Sequence, residues 1–477
     1  MLKRWRVVSV CALALVSAVA VGMVWTSSDT AAYAAKKGYH VTPGPIFNSA
    51  SGPNSAKYAI NNHIKGAINH APHGSTIRIM SWNIMSRAAT DTLLRAQRRG
   101  VRVLVLMDAS NWSNDVPNPQ FKRLKQGLAR GNKGRPANRH SEAKVCHGSC
   151  RGSSGEAHSK YYLFSWSGKD SKIVMEGSAN FTLAAATNQW NDLFTWVGNK
   201  KIYNFATEIF AQMWHDKKVA NPWQSTTSAP FTLAFSPESG KRFTGDPVTK
   251  TLNQVKCTHA VHGNGNHHTV IRFFPDVMRG NRGLRNARQL RNLWNAGCDV
   301  KIGYTVMSVQ AHKLLTTPGR RGVVPMHHMA VDNNGDGEFD KYFHLKALAV
   351  NGVIGSNRRA YRLIQGSSNA SGLSSISDEN IATITKTRTV KRYLEHMNYW
   401  YAHAPAGPAY ATSSGAGAVA RKTTTGNTLE LDDMLGRLRT PQGTRAAAPD
   451  GYIAPGTRVV SPLTGRVVDP YAHVDMD

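Results

Sequence analysis

Acidic side chains are scarce in this chain of 477 residues: 29 Asp and Glu stand against 59 Lys and Arg, a formal net charge of +30. That imbalance disfavours cationic partners and favours polyanions such as nucleic acid, an anionic lipid surface or a phosphate-rich cell wall. Charge alone names no substrate. Cysteines are few, five in all, and Cys11 lies inside an apolar run where it looks incidental. Apolar residues are not in short supply. At 41% of the chain they allow a real core and exclude wholesale disorder, and the length suits two ordinary domains or one duplicated one.

The N-terminus predicts a compartment. Lys3, Arg4 and Arg6 precede the apolar stretch 7–25, and Ala32-Tyr33-Ala34 offers a small-x-small cleavage signal, so residues 1–34 read as a signal peptide and the mature protein as secreted. Four cysteines then remain for an oxidising environment. The simplest of their three connectivities, Cys146 with Cys150 and Cys257 with Cys298, keeps each bridge within one half of the chain. A zinc site is the competing reading of Cys146-His147-Gly148-Ser149-Cys150.

The two halves rhyme. Residues 75–86 alternate like a strand, 91–99 read as a helix ended by Gly100, and 101–108 as a buried strand; later, 269–274, 284–295, Gly297 and 300–307 repeat that order. This is the logic of βαβ units, so the expected fold class is α/β with mainly parallel sheets. The expected divisions are a first half at 35–219, a connector at 220–245, a second half at 246–405 and a poorly packed, low-complexity tail at 406–477. A small accessory module near 452–468 is an alternative within that tail.

The repeat carries chemistry. His158-Ser159-Lys160 is followed by Gly177-Ser178-Ala179-Asn180, and His344-Leu345-Lys346 by Gly366-Ser367-Ser368-Asn369. In an extended chain residues two apart share a face, so each half can offer imidazole, ammonium, hydroxyl and carboxamide to one point. Such a site can process a phosphodiester without a metal or other cofactor. Lys160, Lys346, Asn180 and Asn369 would stabilise charge on the equatorial oxygens, one histidine would attack phosphorus, and the other would protonate the leaving oxygen. One imidazole cannot act on both sides of one phosphorus, which accounts for the duplication.

These paired motifs resemble those of the phospholipase D superfamily, over about residues 40–405. The resemblance implies two pseudo-twofold-related αβα sandwich halves with the site at their interface. It also implies His158 as nucleophile and His344 as acid, and downstream acids supporting the histidines, for which Asp192 and Glu379 are chosen, with Ser178 and Ser367 beside them. The family usually places Asp five residues after each motif Lys; here Ser165 and Asn351 stand instead. Their parity turns them away from the phosphate, so that absence should weaken local support and leave the chemistry intact. Tyrosyl-DNA phosphodiesterases, a branch of the superfamily, are similar in that respect.

Weaker signals are weighed beside these. Residues 332–340 imitate the front of a calcium loop, but Phe343 stands where a bidentate Glu belongs, so a tight polar turn is the preferred reading. Arg279, Arg282, Arg285, Arg288 and Arg291 could present a basic stripe or a solvated face. Secretion, two motifs in one chain, and the aromatics Trp166 and Trp190 as headgroup contacts favour a phospholipid or membrane surface as partner. The charge favours nucleic acid, making a nuclease the alternative and a non-catalytic binder of anionic surfaces the third reading. Both motifs lie in one chain, so a monomer is expected.

Overall fold

A computed structural model describes residues 38–114, 116–405 and 451–474. The expected signal peptide, 1–34, and most of the expected tail, 406–450, lie outside the described residues. No helix among the described residues is long and apolar enough to cross a membrane.

The first half contains β1 (Gly44–Phe47), β2 (Thr76–Ser81), β3 (Arg102–Asp108), β4 (Glu142–Cys146), β5 (Lys160–Ser167), β6 (Asp170–Gly177), β7 (Gln189–Trp190) and β8 (Asp192–Trp196). Seven of these form one sheet in the order β1-β8-β6-β5-β2-β3-β4. The second half contains β9 (Gln224–Ser228), β10 (Phe231–Phe235), β11 (Val255–Lys256), β12 (Val270–Met278), β13 (Asp299–Met307), β14 (Met326–His328), β15 (Ala330–Val331) and β16 (Lys341–Phe343). It continues through β17 (Ala347–Ile354), β18 (Asn357–Gly366) and β19 (Asn380–Ile384). Its main sheet runs β14-β13-β12-β17-β18-β19-β10-β9, the mirror of the first order from β4 through β8. The α/β architecture of two related halves is therefore present.

The sheets are mixed rather than mainly parallel. Within the two main sheets only β2–β3–β4 and β12–β13–β14 pair in parallel; the long β5–β6 and β17–β18 hairpins and their outer neighbours pair antiparallel. The physical reason is loop length. Each motif strand returns directly through a tight turn, with no crossover helix to reverse it.

Helices form where caps and patterning agree. Ser86 accepts the Ala89 N–H to start the helix Arg87–Arg98, and Asn118 caps Pro119–Arg130, with Pro119 at a position that needs no N–H. In the helix Gly280–Asn295, Arg282 turns inward to Glu238 at 2.9 Å and Asp246 at 3.2 Å, so the expected basic stripe is broken. A step of three residues drifts about 60° per step around a helix, and five such residues cannot share one face.

Three apolar layers result. One covers the outer face of the first sheet with Ile64, Ile77, Leu93 and Phe121, and another the outer face of the second with Ile271, Leu290, Ile302 and Leu348. The third joins both halves: Tyr161, Leu163 and Phe210 from the first meet Phe274, Leu363 and Tyr393 from the second. Between the halves β7 pairs in parallel with β16, Trp190 opposite Phe343. Trp190 is accordingly 1% exposed and stacked on Phe343 at 5.0 Å, not the surface aromatic expected.

The stretch 220–245, expected as a connector, supplies β9 and β10 to the second sheet, with Phe231 opposite Ile384. Both local disulfides are present, Cys146–Cys150 and Cys257–Cys298. Within 451–474 the hairpin of β20 (Val459–Val460) and β21 (Val467–Val468) packs inward. Val459, Tyr471 and Val474 are buried against Val277, Val306, Phe339 and Tyr342. That segment also holds the polar turn 332–340, through Leu463 N–H to Gly335 O at 2.8 Å and Phe339 N–H to Pro470 O at 2.8 Å.

Candidate active site

Both motif histidines lie in the turns just ahead of β5 and β17, at the ends of strands rather than inside them. Asp108, closing β3, accepts the Ala157 N–H at 2.7 Å and so fixes the backbone entering His158. Each lysine then folds back on its own motif: Lys160 Nζ donates to His158 O at 2.6 Å and Lys346 Nζ to His344 O at 3.1 Å. The same lysine-to-carbonyl contact is present in both copies. Ser165, on the opposite face, accepts the Thr76 N–H at 2.8 Å, and Asn351 bonds the Gly263 backbone.

The support of the histidines is crossed. His158 Nδ1 lies 3.0 and 2.9 Å from the two carboxylate oxygens of Glu379, a residue of the second half. His344 Nδ1 lies 2.7 Å from Asn191 Oδ1, a residue of the first. Ser367 donates to Glu379, and Ser178 donates to Asn191 Oδ1 at 2.9 Å. Ser178–Asn191–His344 and Ser367–Glu379–His158 are therefore mirror-related chains. Both histidines are held at one seam, each by the other half.

Asp192, the expected partner in the first half, is one residue away from the part assigned to it. Its carboxylate accepts from Tyr393 Oη at 2.7 Å and from the Ser178 N–H at 3.1 Å, and it does not reach His344. The gap from Ser178 to Asn191 is one residue longer than that from Ser367 to Glu379. In extended chain one residue reverses the face.

The carboxamides behave alike. Asn180 Oδ1 accepts from Ser81 Oγ at 3.3 Å and from the Asn83 N–H at 3.4 Å, and Asn369 Oδ1 accepts the Val277 N–H at 3.3 Å. Each carboxamide oxygen accepts within its own half.

Three residues outside the motifs complete the seam. Trp82 Nε1 donates to Glu156 at 3.0 Å, and its ring stands edge-on to His158 at 5.9 Å. Asp276 accepts from Lys346 Nζ at 2.6 Å. Glu176, ending β6, accepts from Asn380 Nδ2 at 2.7 Å and from Gln365 across the seam. Trp82 follows β2 and Asp276 lies near the end of the equivalent β12, but only the strand–helix–strand rhyme pointed to that neighbourhood.

Electrostatics separates the two histidines. Burial alone would raise Glu379, but His158, Lys160 and the Ser367 hydroxyl hold it down to about 2, a fixed anion. Nδ1 of His158 therefore donates to a carboxylate, which leaves Nε2 as the ring nitrogen that a ligand could meet. That Nε2 meets no hydrogen-bond partner among the described residues although His158 is 1% exposed. His344 has a neutral amide oxygen at the same position. Among the described residues one cluster of ligating atoms has metal-like spacing, Cys146, Cys150 and Asp216, and the disulfide consumes both thiolates.

Residues 64–214 match the family described as cardiolipin synthase, PLD-like domain. Phosphatidylserine synthase of Haemophilus influenzae Rd KW20 is similar, with a TM-score of 0.51 and 10% identity over 75% of this chain and 85% of that one. The fold is PLD-like. Polyphosphate kinase of Porphyromonas gingivalis gives a TM-score of 0.47 at 11% identity, covering 74% of this chain and 49% of its own. This chain thus spans about half the length of that kinase. Nuc of Salmonella typhimurium, a phospholipase D family member, gives 0.28 at 17% identity, covering 37% of this chain and 100% of its own. No curated protein matches the chain. In the PLD-like frame the two halves of the fold are the two halves of the seam.

Proposed function

We propose that the protein is a phosphodiesterase of phospholipase D type that acts through a phosphohistidine on phospholipid headgroups. The observation that carries this reading is the orphaned, buried Nε2 of His158, backed by the Glu379 anion on its other nitrogen. A buried imidazole nitrogen with no partner is costly unless something is meant to meet it. In the proposed reaction Nε2 attacks phosphorus, and His344 gives its proton to the departing oxygen. Water then attacks phosphorus, His344 takes a proton from it, the P–N bond breaks, and His158 is restored. Lys160, Lys346 and the amides of Asn180 and Asn369 oppose the charge that builds on the equatorial oxygens.

The choice of a lipid rests on the rim and the compartment. Leu183, three residues beyond Asn180, is 53% exposed, and Val116 beside the Asn118–Asn83 contact is also exposed. Trp166 is 49% exposed but ends β5, roughly 20 Å from the motif at about 3.3 Å per residue, so it is not part of that rim. A basic cleft of about 490 Å³, lined by His73, Arg98, Arg99, Arg135 and Arg139, lies at the opposite end of the sheet, where β3 begins. A polyphosphate bound there would not lead into the seam. Two disulfides fit an oxidising compartment outside the cytoplasm.

The test is direct. Protein is incubated with phosphatidylcholine vesicles containing ethanol, and separately with plasmid DNA, both with EDTA. Phosphatidylethanol is the expected product, and His158→Ala and His344→Ala should each remove at least 99% of it, a loss of roughly 10²-fold or more. Nicked plasmid with unchanged lipid would replace the lipid reading by a nuclease. Turnover of neither would leave the binder of anionic surfaces.

A further inference from the structure

The two halves are not electrostatically equal, and Asp276 is where they differ most. It sits in β12 with a backbone φ of +47°, at the point where the register against β13 breaks between Phe273 and Val277. A non-glycine residue in the left-handed region is strained, and such strain in a buried strand asks for a compensating purpose. The bulge sets the Asp276 carboxylate against the second motif: Oδ2 lies 2.6 Å from Lys346 Nζ and 3.9 Å from His344 Nε2, with all three side chains almost fully buried. The equivalent place in the first half holds Trp82, whose ring lies 5.9 Å from both His158 and Lys160 Nζ.

We propose that Asp276 is a positioning residue that holds His344 in its protonated, acid form, supplying from the Nε2 side the negative charge that Asn191 does not supply at Nδ1. Among the described residues, four groups near His344 fix the direction of the effect of removing Asp276. Asn191 from the β7–β8 junction is neutral, and the Tyr342 ring of β16 stands edge-on at 6.0 Å. Lys346, just ahead of β17, is cationic, and Asp276 of β12 is a carboxylate. Removing Asp276 takes away an anion near the imidazolium and also exposes it to the unscreened Lys346 charge. Both changes favour neutral imidazole. One half thus keeps a histidine whose Nε2 lone pair is open for attack, and the other keeps a histidine loaded with a proton. The catalytic meaning rests on the phosphodiesterase reading; the electrostatic coupling does not.

The test uses the full chain and Asp276→Asn, which preserves shape and still accepts from Lys346. The His344 ring is followed by nuclear magnetic resonance through a pH titration, assigned with His344→Gln. Its midpoint should fall by about one unit or more in Asp276→Asn and return in Asp276→Glu. The kcat/KM profile should lose activity at lower pH than the wild type. The loss should be at least about tenfold larger for an alkoxide leaving group, which needs a proton, than for 4-nitrophenolate, which does not. An unmoved His344 midpoint overturns the proposal, as does an equal loss on both leaving groups with an unmoved profile. If Asp276→Asn fails to fold, Lys346→Met is titrated instead. With the competing cation gone the His344 midpoint should rise, and a midpoint that stays or falls is equally fatal. A wild-type protein that turns over neither substrate counts against the phosphodiesterase, while the titration still decides whether Asp276 governs His344.

Discussion

Glu379 and Asn191 play mirror parts, and the charge on one side chain and its absence on the other divide the labour of the site. A carboxylate stands behind Nδ1 of His158 and brings a negative charge to that ring; the carboxamide behind His344 brings none. Glu379→Gln should therefore lower kcat/KM by about 10- to 100-fold with little change in KM, as steady-state kinetics on vesicles would register. Glu379 also contributes to stability. Its folded value of about 2 lies below its ordinary 4.5, so its contribution is present above pH 4.5 and lost as pH falls toward 2, at about 3 kcal/mol. Acid unfolding of Glu379→Gln should lack that component. At this scale the motif residues were legible because each pairs a chemical type with a fixed spacing. The choice between Asn191 and Asp192 was not, because β7 takes its register from β16 in the other half.

Among the elements, the ends of β6 and β18 face each other across the seam. Burial pushes Glu176 up to about 8, against the hydrogen bond from Asn380, with Asp192 adding its own negative charge. The unfolded carboxyl ionises near 4.5 while the folded one keeps its proton to about 8. Stability should therefore decline as pH rises between those values, by at most about 4 to 5 kcal/mol, and level off above. Glu176→Gln, with the Gln365 amide turned over to accept, should flatten that slope in urea titrations from pH 5 to 8.5. The segment 451–474 is a second case. Its composition reads as loose chain, yet Tyr471 is fully buried and donates to Ile453 O at 2.7 Å. Tyr471→Ala should cost about 3 kcal/mol, visible as a lowered Tm, and loosen the turn that leads into His344. Period and turn residues located most strands to within a few residues. They could not show that a Gly- and Pro-punctuated tail finds a ready-made apolar face on β12 and β13.

Over the whole molecule, the crossed pairs, the β7–β16 ladder and the shared middle core make the halves interdependent. The Cys257–Cys298 bridge closes a separation of 41 residues under the second sheet. Replacing both cysteines by serine should cost about 4 kcal/mol on the chain-entropy estimate, measured as a shift in the denaturant midpoint. Duplicated strand order, the local cysteine pairing, and the eight motif side chains with their parity are all consequences of near-neighbour rules, in which spacing along the chain sets direction and reach. The inward turn of Trp190, the hold of each histidine by the opposite half, and the placing of Asp276 beside Lys346 depend on contacts between residues 70 to 221 positions apart. Such contacts are set by how two sheets pack against one another, and no local pattern carries that information.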